Sequence, residues 1–164
     1  MSFHSQAKEI KKTGQTFRLP TEAQWEYAAR AGKTSAYAWG NDSSAPCQHA
    51  NIADITWRTH AATSETCTDH YAVTAPVAQF QANDFGLYDM NGNVSEWTCS
   101  TMPFDSSYTT ANRCNLNGLM SMPIIRGSHF AQSGNQIRLA KRFWGFENPQ
   151  QIGFRLIRVS ASQP

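Results

Sequence analysis

The chain has 164 residues, 16% of them charged, 12% aromatic, with a formal net charge of +2. Charge lies well below the roughly 25% of an ordinary soluble domain, and fifty residues are Ser, Thr, Asn or Gln, a mixture that reads as a loop-rich, surface-binding domain and not as a helical bundle or a polyelectrolyte binder. No run of 18 apolar residues predicts membrane insertion, Met1–Thr13 lacks the apolar core of a signal peptide, and the absence of a dense Lys/Arg run excludes nucleic acid as the expected partner.

In chain order, a short helix is predicted over Ser5–Lys12, ended by Gly14, with Lys8, Lys11 and Lys12 on a solvated face. The clearest helix is Thr21–Ala31. Thr21 is its N-cap, Gln24 completes a capping box, and Pro20 is placed to staple onto Trp25. Glu22 and Arg30 match the helix dipole, Glu26 and Arg30 form an i,i+4 pair, and Gly32 stops the helix. From Gly40 to Ala75 neither period 2 nor period 3.6 is sustained, and a structureless stretch of that length needs a disulfide or a bound ion to order it. Short segments at Val73–Phe80 and Val94–Cys99 follow, with turn signals at Asn83-Asp84, Gly86 and Asn91-Gly92-Asn93. Pro103–Met122 is a second polar loop. Ile124–Ile125 and Ile152–Val159 read as strands. The fold class is α+β, and the expected organisation is a single domain over 1–164.

The cysteines are Cys47, Cys67, Cys99 and Cys114. Their spacing holds no C-x-x-C pair, so neither a zinc ribbon nor a thioredoxin motif is expected. Three disulfide connectivities are open, of which 47–67 with 99–114 is the simplest for a loop-rich chain. Cysteine pairs suit a periplasmic or extracellular setting, against the missing signal peptide, and the localisation is left unassigned.

Four words follow one another in order: "FRLPTEAQWEYAARAG" (Phe17–Gly32), "YAWG" (Tyr37–Gly40), "TAPVAQFQANDFGLYDMNGNVSEW" (Thr74–Trp97) and "IGFRLIR" (Ile152–Arg158). Together they resemble the formylglycine-generating enzyme, or sulfatase-modifying factor, family. The resemblance implies a variant of the C-type lectin fold, a small twisted antiparallel sheet with packed helices and long ordered loops. It corresponds to the C-terminal part of a family domain, so the domain is expected to be N-terminally shortened and to associate with itself or with a partner chain that completes the sheet.

The resemblance also implies structural calcium. Asp89 and Glu96 bracket a Gly-containing turn, so two carboxylates can fold back on one point, and Ca²⁺ takes six to eight oxygens from such loops. The family's pattern names Asp89, Gly92, Val94 and Glu96 as one ligand set, Gly92 and Val94 through their carbonyls. A second set is Asn51 and Asp69 by side chain with Ile52 and Tyr71 by carbonyl. The alternatives are a plain turn at Asn91-Gly92 and a 40–75 loop held by Cys47–Cys67 alone.

At the family's catalytic centre this sequence departs from the pattern. The enzymes oxidise a substrate cysteine with a copper-binding cysteine pair just after a Gly-Gly-Ser segment. The matching segment here, Arg126–Gln136, has no cysteine, and none occurs after Cys114. Cu(I) requires soft thiolate ligands, so no copper is expected. The composition of His129–Gln151 resembles an antibody paratope, with rigid aromatics among adaptable amides. His129, Phe130, Gln132, Asn135, Phe143, Trp144, Phe146 and Glu147 are the candidate ligand-binding residues, with His129, Phe130, Phe143, Trp144 and Phe146 expected around one depression. The expected function is a non-catalytic module binding a protein or small molecule there. One form of it is a variable protein diversified by a retroelement, although Gln132, Gln136, Trp144 and Gln150 count against the Asn-codon mutagenesis typical of such proteins. The alternative is a family oxidoreductase with altered chemistry, built on His129 or a carboxylate.

Overall fold

The computed structural model describes residues 10–12, 14–57, 65–103, 114, 121–144 and 151–159. Strands β1 (Ile10–Lys12) and β2 (Gln15–Arg18) lead into helix α1 (Glu22–Arg30). A long irregular passage then gives way to β3 (Ser95–Pro103), β4 (Ser121–Arg126), β5 (Arg142–Trp144), β6 (Ile152–Gly153) and β7 (Ile157–Val159). Two sheets result, one in the order β1-β2-β7 and one in the order β5-β4-β3-β6. All pairings are antiparallel except β3 with β6. The mixed α+β architecture agrees with the sequence reading.

Helix α1 forms as its sequence dictates. The Thr21 hydroxyl accepts from the backbone N–H of Gln24, and the Gln24 side chain accepts from the N–H of Thr21. The helix ends one residue before Gly32, at Ala31 in the left-handed region. Arg30 donates to Glu26 at 2.8 Å. The buried face presents Trp25 and Ala29, which pack with Met90 and Leu139. A second cluster joins Tyr37, Cys47, Ala50, Ile52 and Ile137.

Two expectations are corrected. The helix predicted before Gly14 is, over Ile10–Lys12, a strand: Gly14 takes φ +75° and turns the chain so that Ile10 pairs with Phe17. Residues 5–9 of that prediction lie outside the described residues. The single strand predicted over Ile152–Val159 is two. Ser95 pairs with Ile152 in one sheet, whereas Phe17 pairs with Arg158 in the other. Between them Arg155 turns in to Glu96 while Phe154 stays 66% exposed, so the alternation there belongs to a crossover.

The 40–75 passage is ordered through side chains. The disulfide Cys47–Cys67 closes it, and buried Asp and Asn groups supply the hydrogen bonds that a ladder would otherwise provide. Asp54 accepts from the backbone of Thr56 and of Asp69, both at 2.7 Å. Asn93 accepts from the N–H of Ala75 and donates to its carbonyl. The second disulfide is Cys99–Cys114, so the simplest of the three connectivities is the one found. Among the described residues no helix is long and apolar enough to cross a membrane.

Candidate functional site

Each expected calcium ligand set has a distinct setting. Asn51 is fully buried; its Nδ2 donates to the Val73 carbonyl at 2.8 Å, and its Oδ1 has no partner. Asp69 is buried beside it in the chain path, with one carboxylate oxygen accepting from Ile52 N–H at 2.7 Å and the other from Tyr71 N–H at 2.8 Å. Burial, joined by the charge of Asp54, pushes the Asp69 carboxyl up to about 6 against those hydrogen bonds. The Asp54–Asp69 acid pair and the Asn51 amide oxygen lacking a donor are buried polar groups that are costly without partners.

The other set is drawn in two directions. Asp89, at φ 57°, accepts from Ala78 N–H with one oxygen, while its Oδ1 is buried without a partner. Glu96 takes three donors: Trp25 Nε1 at 2.6 Å, Arg155 Nε at 2.5 Å and Arg155 Nη2 at 2.6 Å. A carboxylate offers about four acceptor positions, which leaves one on Oε1. Gly92 holds φ +76° against the Asn51 backbone, and a Cβ there would come within 2.2 Å of the Asn51 carbonyl oxygen. The turns that carry the two sets are therefore packed against each other, with Asn93 N–H donating to Asn51 O at 2.9 Å. The unpartnered oxygens of Asn51 and Asp89 belong to the two sets, one each, whereas both Glu96 oxygens already accept from the Arg155 guanidinium. No cluster of three or more His, Cys, Asp or Glu side chains occurs among the described residues; ligation would rest largely on carbonyl and amide oxygens, as suits a hard cation.

The C-terminal candidates divide. His129 and Phe130 are buried, and Phe130 packs its ring on Trp57 at 5.3 Å. Gln132 is tied down: its carbonyl accepts from Ala53 N–H and its Oε1 from His129 N–H. Asn135 is exposed and accepts from Ser133 Oγ at 2.7 Å. Phe143 lies under the Lys141 ammonium, 5.1 Å from the ring centroid. Trp144 is 50% exposed on the edge strand β5, opposite Ile124. Phe143 and Trp144 are consecutive in a strand and so face opposite sides of the sheet. Phe146 and Glu147 lie outside the described residues.

His129 is committed internally. Its Nδ1 accepts from Ala131 N–H at 3.2 Å, which leaves the proton of the neutral ring on Nε2. Burial, then the Lys141 charge, brings its pKa down to about 4. The ring therefore has no free lone pair for a metal and little basicity for proton transfer.

Sequence reasoning missed the charged centre under α1. Arg126, fully buried, donates to Glu22 at 3.0 Å, to Glu26 at 2.6 Å and to the Leu139 carbonyl at 2.7 Å, and its guanidinium lies 5.4 Å from the Trp25 ring centroid. Arg142 reaches Glu22 as well, at 2.7 Å. Gly127 is required here, since a Cβ would stand 3.2 Å from the Trp25 ring. Arg126, Arg138, Arg142 and Arg155 match arginines common in the family and read as structural, but the partners Glu22 and Glu26 are explained equally well by the helix dipole and a surface pair.

The model of the sulfatase-modifying factor enzyme 1-like domain matches residues 3–160. The chain belongs to the sulfatase-modifying factor family. It is 48% identical over 81 residues to a formylglycine-generating enzyme of Mycobacterium tuberculosis, a match covering 49% of this chain and 26% of that relative. It is 41% identical over 85 residues to the inactive C-alpha-formylglycine-generating enzyme 2 of Bos taurus, covering 51% of this chain and 26% of that one. Each match thus spans about a quarter of the curated relative. Among solved structures, PvdO from Pseudomonas aeruginosa superposes with a TM-score of 0.68 at 27% identity, over 89% of this chain and 54% of that one. Treponema denticola variable protein 1 gives a TM-score of 0.64 at 24% identity, over 92% and 50%, and shares the fold.

Proposed function

We propose that this chain is a non-catalytic, calcium-stabilised binding module of the sulfatase-modifying factor family. The observation that carries this reading is the segment Arg126–Gln136. It corresponds to the place where the family's resemblance puts a copper-binding cysteine pair, yet it contains no cysteine, and all four cysteines of the chain are paired elsewhere in disulfides. Gly, Ser, Gln and Asn offer no thiolate to Cu(I). His129 does not replace them, because its ring is neutral and its acceptor nitrogen is engaged. A relative 41% identical that is itself named inactive shows that family membership at this distance is compatible with lost chemistry.

The binding face in this reading is the β5 edge. Trp144 presents a half-exposed indole on β5, which lies at the edge of its sheet among the described residues; this suits a protein ligand that adds backbone hydrogen bonds and covers an aromatic anchor. Calcium would be held by Asn51, Ile52, Asp69 and Tyr71 on one side and by Asp89, Gly92, Val94 and one oxygen of Glu96 on the other. Its contribution is structural: a divalent charge that fixes two loop turns. Incubation of the protein with copper and a sulfatase-derived cysteine peptide, read by mass spectrometry, tests the first half; we expect no aldehyde, and its formation refutes the reading. Chelation by EDTA tests the second half; we expect a lowered melting temperature, a response reduced in both Asn51→Ala and Asp89→Ala. A melting curve indifferent to EDTA removes calcium from the account.

A further inference from the structure

The two disulfides differ in their surroundings. Cys47 is buried in the apolar cluster of Tyr37, Ala50, Ile52 and Ile137, and the partly buried Cys67 packs against the same cluster. Apolar surroundings raise a thiol pKa and make the sulfur a poor leaving group. Cys99 is likewise buried, but its partner Cys114 is exposed. The Arg18 guanidinium lies against both sulfurs of this second pair, with Nη1 3.6 Å from Cys114 Sγ and 3.9 Å from Cys99 Sγ. The same Nη1 donates to the Leu19 carbonyl at 2.9 Å and to Gln24 Oε1 at 3.1 Å, which uses its two N–H groups, so Arg18 acts on the sulfurs through its charge.

We propose that Cys99–Cys114 is a thiol-exchange site at which Cys114 accepts a low-molecular-weight thiol. An external thiolate attacks the exposed Cys114 Sγ. The bond between the external sulfur and Cys114 forms as the bond between Cys114 and Cys99 breaks, and the electron pair leaves on Cys99 Sγ. Arg18 stands where that thiolate develops and stabilises it, and a lower leaving-group pKa speeds exchange. A second thiol then releases the disulfide of the two external thiols and leaves Cys114 as a thiolate, again beside Arg18. The adduct state is S-thiolation, a reversible modification. Directionality follows from burial: only Cys114 can be approached, so only Cys99 can leave. The proposal is independent of whether the module is catalytic.

The test uses the oxidised, folded chain and reduced glutathione, quenched with iodoacetamide and mapped by peptide mass spectrometry. We expect glutathione on Cys114 with the alkyl group on Cys99 before either Cys47 or Cys67 is modified. Adduct on Cys99, or reaction at Cys47–Cys67 first or at an equal rate, overturns the assignment. Arg18→Gln should slow opening of Cys99–Cys114 by roughly two- to tenfold, because a leaving thiolate deprived of its neighbouring cation leaves more slowly. Arg18→Lys should keep the original rate, and an unchanged Cys47–Cys67 rate in both variants shows that the fold is intact. An Arg18→Gln variant that exchanges as fast as the parent removes Arg18 from the mechanism and overturns the proposal. If Arg18→Gln opens both disulfides through unfolding, the adduct position in the parent and the Arg18→Lys rate decide the matter.

Discussion

The region beneath α1 and the loop region from Tyr37 to Asn93 solve the same problem, keeping buried polar groups partnered, with different chemistry. Beneath α1 the partners are full charges: Arg126 and Arg142 against Glu22, and Arg155 against Glu96. In the loops they are short neutral amides and Asp carboxylates set against backbone. Asn83 accepts from Phe85 and Leu87 N–H while donating to the carbonyls of Ala28 and Ala29. Asn91 accepts from Ala38 N–H and donates to the Ile137 carbonyl. A loop needs a donor and an acceptor at one point, and Asn supplies both without charge. A helix packed on a sheet has most of its backbone satisfied, so its buried charges pair chiefly with one another. This explains how a chain with so few charged residues still carries a charged core: several of those charges are concentrated under one helix, and the amides do the rest.

The sharpest way to break the comparison is Arg126→Ala. It removes one of the two guanidiniums on buried Glu22 and leaves its charge only partly compensated by Arg142; breaking a buried pair costs about 3–5 kcal/mol, and denaturant unfolding should show a loss toward the lower end of that range. A further Glu22→Gln change should restore part of it, because the uncompensated charge is then gone. His129 provides a pH axis that belongs to neither region. Its folded pKa of about 4 lies below the ordinary 6.5, so between these values the unfolded chain binds the proton that the folded chain refuses. The His129 contribution to stability should therefore fall as pH drops from about 6.5 toward 4, by up to about 3 kcal/mol, while Asp69, raised to about 6 in the folded chain, contributes in the opposite direction over the lower part of that window. The slope in that window should be smaller in His129→Gln, and equal slopes would show that the ring is not buried neutral. On the loop side, Asn93→Ala removes both bonds to Ala75 and should cost about 1–3 kcal/mol, as expected for unsatisfied buried backbone groups. Protection of the Ala75 amide from hydrogen exchange should fall with it. The smallest effect is expected for Lys33→Ala. The Lys33–Asp84 pair, at 2.9 Å, is exposed, and such pairs contribute less than about 1 kcal/mol. A large loss there would mean that surface charge matters as much as the buried centre.

Local signals were legible in the sequence where local chemistry decides structure. The Thr21–Gln24 capping box, the Glu26–Arg30 pair and the end of α1 near Gly32 all follow from residues within one turn of their partners. The Cys47–Cys67 and Cys99–Cys114 pairs are the simplest of the three connectivities that the sequence left open. The strand at Ile10–Lys12 did not, because three residues have no period to read and their partner hairpin is defined by Gly14. The split between β6 and β7 was hidden because Phe154, Arg155 and Leu156 alternate like a strand, and only the distant Glu96 decides that Arg155 turns inward. The division of the aromatic candidates was equally illegible. Nothing near Phe130 in sequence shows that Trp57 covers it, nor that Trp144 is left at an edge.

The pairing of β2 with β7 joins Thr16 to Val159 and Arg18 to Ile157, almost the whole length of the chain. During synthesis the first hairpin and α1 leave the ribosome long before the segment that completes their sheet exists. Because β6 and β7 are separated by only three residues, the same late event supplies the last strand of both sheets. The polypeptide must therefore wait, with two sheets unfinished, until residues 152–159 emerge, and long-range closure of this kind is intrinsically slow. Docking of residues 152–159 should accordingly be the late step that completes both sheets.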